Sequence, residues 1–259
     1  ALAPKAEAPD ATQGWYWKPP WPDYAPSGMP DFDQRQDEWR DPGTQKWSSC
    51  GPVAVANSFW WFDSKFEPLL DGIDLPDGYP LVETYGKWDD HDEQNVPPLV
   101  EDLAGWLGTD PVMGTHVEEL SEGIDNYLRD KDLFDDYIRS TVPGPSFDLV
   151  AEAVERSEDV ILLLGFWQEQ GEEWVRIGGH YVTIAGVDEA DGRIGISDPF
   201  RDVAETPPPE NPTAHNDAQF VSHDVYGVFH PGGGGIFDHG GWGLERYAPT
   251  TDEVKNFIG

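Results

Sequence analysis

Residues 47–63, WSSCGPVAVANSFWWFD, carry the only cysteine of the 259-residue chain where a polar turn gives way to an apolar run. Val53, Ala54, Phe59, Trp60 and Trp61 fall on most sides of a 3.6-residue period. The stretch therefore predicts a helix buried nearly all round, ending in the 63–66 stretch ahead of Pro68. Such a helix sits at the centre of a domain. Cys50 stands at its start, where unpaired backbone N–H groups lower the cost of a thiolate. In the CGP triplet Gly51 leaves room for a substrate backbone and Pro52 suits the first helical position.

Working outward, helices are expected at about 97–107, 116–130 and 146–156, after a turn-rich segment at 71–98. The period then changes. VILLLGFW (160–167), GGHYVTIAGV (178–187) and RIGISDPF (193–200) read as three strands, the last two joined by the turn DEADG at 188–192. Helices followed by strands indicate an α+β fold. Beyond Phe200 the chain is polar and turn-rich, with a strand or two expected in FVSHDVYGVF (220–229) and a short helix in TTDEVKNFI (250–258). The chain thus divides into a Pro- and aromatic-rich arm over 1–40, a central domain over 41–204 and a Gly/Pro-rich extension over 205–259. Trp15, Tyr16, Trp17 and Trp21 offer a stacking surface for sugar or peptide, or pins that hold the arm on its own domain; pinning is the commoner use of such aromatics.

A cysteine nucleophile needs an imidazolium as well as a helix terminus. His180 stands at the start of its predicted strand, after two glycines that leave space beside it. Hairpin pairing about 188–192 brings the end of the returning strand beside it, so Asp198 is placed to orient the ring. Acyl chemistry further requires an oxyanion hole, for which the Cys50 N–H and the Gln45 side-chain amide are the candidates.

GTQKWSSCGPVAVANSFWWF, GGHYVTIAGV and GRIGISDPF together resemble the papain-like cysteine peptidases, in particular the bacteriocin-leader-processing peptidase and phytochelatin-synthase-like group. They cover about a sixth of the chain. The resemblance implies a papain-like fold, with a nucleophile helix packed on an antiparallel sheet that carries the histidine and aspartate. It implies Cys50 as nucleophile, His180 as general base, Asp198 as orienter, and no cofactor. Family members place the oxyanion glutamine six residues before the cysteine, whereas Gln45 lies five before Cys50 and Thr44 takes the sixth position. Acyl transfer and an inactive fold with a structural, assembly or peptide-binding role stay open. Transglutaminase-like chemistry shares the Cys, His, Asp order, but the interval from Cys50 to His180 is longer than that family usually shows.

A net charge of −34, from 50 acidic and 16 basic residues, repels nucleic acid and steers a cationic peptide inward. The longest apolar run, 160–167, is far short of the roughly 20 residues that span a bilayer, so no membrane insertion is expected. A single cysteine excludes an intramolecular disulfide. The acid excess fits a secreted or surface protein, or a salt-rich cytoplasm; the opening ALAPKAEAPDA, which looks like the mature end left by a cleaved export signal, tilts the expectation to an extracellular or cell-surface location. Partners are then a peptide or protein substrate, with homo-oligomer or surface assembly through the arm as a further option. Asp89, Asp90, Asp92 and Glu93 lack the glycine and final glutamate of a calcium loop and read as a solvated loop. His215, His223, His230 and His239 lack the short spacings of a zinc site, so no metal is assigned. PGGGG at 231–235 lacks the Lys-Ser or Lys-Thr of a phosphate loop.

Overall fold

A computed structural model describes residues 14–21, 28–35, 39–66, 79–82, 96–171, 173–201, 223–230, 241–247 and 254–258. The acidic loop at 89–93, His215, His239 and the glycine run at 231–235 lie outside the described residues.

The apolar run after Cys50 forms α1 (Cys50–Phe66), buried along almost its whole length. One side packs with α2 (Val96–Trp106) and α3 (Val117–Asp130) in a cluster that includes Val53, Phe59, Trp60, Leu99, Leu103 and Tyr127. The other side meets the sheet, where the Thr183 hydroxyl donates to the Ala54 carbonyl at 2.9 Å. No polar face is needed, because α1 separates the helical half of the molecule from the sheet. Its first i→i+4 bond runs from Val53 N–H to Ser49 O, so Pro52 is the third helical residue rather than the first. The substitution of position costs nothing: the third N–H of a helix also lacks an intrahelical acceptor. α4 (Phe147–Glu155) starts where Ser146 Oγ accepts from Leu149 N–H, and it lays Phe147, Val150 and Val154 on the sheet.

The fold is α+β. Its antiparallel sheet runs β6-β5-β4-β3-β2-β7, with β1 (Trp15–Trp17) paired to the end of β3. Its strands are β2 (Ile161–Gln170), β3 (Glu173–Asp188), β4 (Arg193–Ser197), β5 (Asp224–Phe229), β6 (Gly243–Leu244) and β7 (Val254–Phe257). β1 and β6 were not expected as strands, and β3 and β7 differ from expectation. β3 begins earlier than predicted, so His180 lies inside it instead of at its start. Residues 173–179 are mostly exposed, and the alternation of Val175, Arg176 and Ile177 is cut short by two glycines, too brief a pattern to mark a strand. The predicted C-terminal helix is instead strand β7, paired with β2 over Gly165–Gln168. Isolated helical propensity yields there to the open edge of β2, which offers a full row of backbone partners.

The division at 205 also has a different meaning in three dimensions, because β5, β6 and β7 belong to the same sheet as β2–β4 and flank it on both sides. At the other end of the chain, the arm is pinned. Gly186 and Gly195 face each other across β3 and β4, and the Trp17 ring lies on both. A Cβ at either glycine would come within 2.5 Å of that ring. Lys18 N–H donates to Ala185 O at 2.9 Å, its buried ammonium pairs with Asp159, and Trp61 Nε1 donates to Pro19 O at 3.1 Å. Met29 and Phe32 of the following segment are buried too, and Phe32 N–H donates to Asn57 on α1.

Candidate active site

Three elements converge on one point. Cys50 opens α1, His180 lies on β3, and Asp198 follows the last residue of β4. The β3–β4 ladder is set by Thr183↔Ser197 and Ile184↔Ile196, with a one-residue irregularity before Gly186↔Gly195. That register carries Asp198 past the end of the ladder beside His180. His180 Nε2 and Asp198 Oδ1 are 2.6 Å apart, and both residues are buried. With Nε2 committed to the carboxylate, Nδ1 is the nitrogen left for the sulfur of Cys50, with which the ring makes its second side-chain hydrogen bond. Cys50 as a whole residue is half-buried.

The electrostatics match that geometry. Burial opposes ionisation of the Cys50 thiol, but the hydrogen bond and charge of His180, helped by the Tyr181 backbone N–H, leave its pKa below the ordinary value. Burial opposes protonation of His180, yet the Asp198 charge and hydrogen bond reverse this and raise its pKa. Asp198 is held below the usual carboxylate range despite burial, by His180, the Tyr247 hydroxyl and the Phe200 N–H. All three directions favour a thiolate–imidazolium pair backed by a carboxylate. No acidic residue stands in the first turn of α1 to work against the thiolate.

Around the thiol, two expectations change. The space beside Gly51 is taken by the protein's own Thr115: a Cβ on Gly51 would lie 2.8 Å from Thr115 Oγ1 and 3.0 Å from its Cβ. The glycine thus admits the 109–116 turn, whose Thr115 hydroxyl bonds Thr109 and whose carbonyl accepts from Tyr181. Gln45 is exposed on a turn at φ +60°, and its Nε2 donates to the Pro42 carbonyl at 2.9 Å. The turn is organised by Asp41, whose carboxylate accepts from Thr44 N–H and hydroxyl and whose carbonyl accepts from Gln45 N–H. Cys50, His180 and Asp198 are brought together; the Gln45 amide is engaged within its own turn.

Three groups at the site had no signature in the sequence. The Tyr181 N–H is a backbone donor, which no residue type marks. Thr115 sits in an unremarkable polar turn. Tyr247 comes from the C-terminal region and donates to Asp198 Oδ2 at 2.6 Å. At the rim, Trp47 and Phe200 meet edge to face at 6.1 Å, with the Arg40 and Arg35 guanidinium groups over their respective rings. Comparison with protein-family models, with curated proteins and with solved structures finds no match to this chain.

Proposed function

We propose that this protein is a papain-like cysteine hydrolase, used as a peptidase, that works through Cys50, His180 and Asp198. The observation that carries the reading is the 2.6 Å His180–Asp198 bond on an imidazole whose other nitrogen serves the thiol at a helix N-terminus. A core cysteine kept only for packing gains nothing from a buried ion pair, whose desolvation costs several kcal/mol for each charge. A nucleophile needs that pair.

In the proposed reaction the Cys50 thiolate attacks the carbonyl carbon of a peptide or related amide, forming the C–S bond. The negative charge moves to oxygen, facing the Cys50 N–H at the start of α1. Collapse of the tetrahedral species breaks the C–N bond, and the His180 imidazolium gives its proton to the departing amine. Neutral His180 then takes a proton from water, whose oxygen attacks the thioester; the C–S bond breaks, which releases the acid and restores the Cys50 thiolate beside the His180 imidazolium. Asp198 keeps the ring oriented and stabilises its charged form throughout. Gln45 joins the oxyanion hole only by releasing the Pro42 carbonyl. No cofactor is required. The chain's charge favours cationic peptides, and an extracellular or cell-surface setting is compatible with its acid excess. No helix among the described residues is long and apolar enough to cross a membrane.

The test is the rate of Cys50 alkylation by iodoacetamide from pH 4 to 10, in the native protein and in His180→Ala, followed by cleavage assays on cationic and acidic peptide pools. A fast rate persisting well below the free-thiol pKa of about 8.5, and lost in the variant, is expected. Reaction only on unfolding removes the nucleophile from the proposal. A second reading, a papain-like fold without turnover that binds peptides or serves a structural role, draws support from the engaged Gln45 amide. It is favoured by a reactive thiolate that cleaves neither pool.

A further inference from the structure

Asp198 has a donor on each of its two oxygens. Oδ1 accepts from His180 at 2.6 Å and from the N–H groups of Phe200 and Arg201 at 2.9 and 3.2 Å. Oδ2 accepts from the Tyr247 hydroxyl at 2.6 Å. A carboxylate held through one oxygen alone turns readily about its last torsion, which has only broad minima. A second donor on the opposite oxygen fixes that torsion and so fixes where Oδ1 points.

Tyr247 is itself immobilised. It is 1% exposed, with its ring stacked on Phe166 at 6.2 Å and edge-on to Tyr226 at 5.3 Å. The chain just before it is clamped by Asn256 on β7, whose side-chain amide donates to Leu244 O and whose oxygen accepts from Leu244 N–H. β6, β7 and the tyrosine therefore form one unit ending on the carboxylate.

Building on the triad reading, we propose that Tyr247 is a positioning residue for Asp198, which makes the C-terminal strands part of the active centre. Removing the hydroxyl strips a charge-assisted hydrogen bond from a buried anion, so Asp198 takes up a proton at higher pH. Once Asp198 is neutral, the imidazolium loses its counter-charge and the thiolate is lost with it.

The experiment is the acid limb of Cys50 alkylation against pH in wild type, Tyr247→Phe, Tyr226→Phe, Asp198→Asn and the Asp198→Asn/Tyr247→Phe double variant. The expected result is a limb raised by about one pH unit in Tyr247→Phe, the displacement corresponding to one such bond. Tyr226→Phe serves as the matched loss of a neighbouring hydroxyl, because Tyr226 bonds Asp224 instead, and its limb stays with wild type. In the Asp198→Asn background, Tyr247→Phe adds no further movement. If Tyr247→Phe does not fold, 3-fluorotyrosine placed at 247 keeps the ring and strengthens the donor, and the limb then moves to lower pH. A wild-type low-pH limb that neither Tyr247 change moves overturns the positioning role and leaves the triad intact. A wild-type protein with no low-pH limb overturns the triad reading and this role together.

Discussion

Among the described residues two histidine side chains are buried in opposite states, and consecutive residues at the end of β4 serve them. Asp198 meets His180 at 2.6 Å, whereas Ser197 Oγ lies 3.4 Å from His223 Nδ1 and donates more closely to Pro30 O at 2.6 Å. The alternation of a strand sends neighbouring side chains to opposite faces, so one strand end reaches both rings. His180 has a carboxylate in contact and a thiol beyond it, and its pKa is raised. His223 has the Asp31 carboxylate only at 4.0 Å, and its buried Nε2 finds no hydrogen-bond partner among the described residues. Burial pushes its pKa down to about 4. Burial alone makes a neutral histidine; close partners make a charged one.

The contrast is broken most severely at Asp198. Asp198→Asn removes the counter-charge that sets the two rings apart, and any hydrolysis is expected to fall by about 10²–10⁴-fold with the fold retained, measured as kcat/KM on a cleaved peptide. A fall of less than tenfold means that His180 does not depend on its carboxylate.

Trp17→Ala attacks the other ring's shelter. Trp17 stacks on His223 at 6.0 Å and covers Gly186 and Gly195, so its loss leaves a cavity over two residues without side chains. Stability is expected to drop by about 3–5 kcal/mol in urea unfolding. The His223 pKa returns toward its ordinary value as water enters. A drop under 1 kcal/mol shows the arm to be dispensable to the domain.

Acid separates the histidines without mutation. A folded His223 held neutral contributes stability that is fully present above about pH 6.5 and is lost as pH falls toward 4, by roughly 3 kcal/mol. His180 runs the other way: with its folded pKa raised, its contribution is present below about pH 6.5 and is lost as pH rises through that higher value. His223→Gln, which presents an uncharged amide, is expected to flatten the loss between pH 6.5 and 4 in thermal unfolding, while His180→Gln does not. Equal flattening by both contradicts the assignment of charge states.

The smallest effect is expected at Gln45, on the exposed side of the site. With its amide on Pro42 O, Gln45→Ala changes kcat by less than about threefold, against the roughly 10²–10³-fold loss of a working oxyanion donor. Gln45→Gly, at φ +60°, gains about 1 kcal/mol from relief of left-handed backbone. A hundredfold loss of kcat in either variant shows that the amide swings inward on binding substrate.

Much of this arrangement was legible in the chain. The apolar periodicity after Cys50, the change from helical to strand period near residue 160, and the DEADG turn together fix a central helix against a hairpin. The length of that turn returns Asp198 to the neighbourhood of His180, and the irregularity before Gly186↔Gly195 sets the final register. These are local signals, and local chemistry writes them into short windows of sequence. The exposed ribbon at 173–179 and strand β7 were not legible, because their conformation is imposed by a partner strand and not by their own side chains. Trp17 on its glycine pair, Thr115 against Gly51 and Tyr247 on Asp198 join residues 49 or more positions apart, and no window contains both members. The sequence by itself determined the α+β order and the candidate nucleophile, base and orienter. Only the tertiary structure decided which protons those groups hold, since a pKa depends on burial and on partners within a few ångströms, and both are properties of the packed chain.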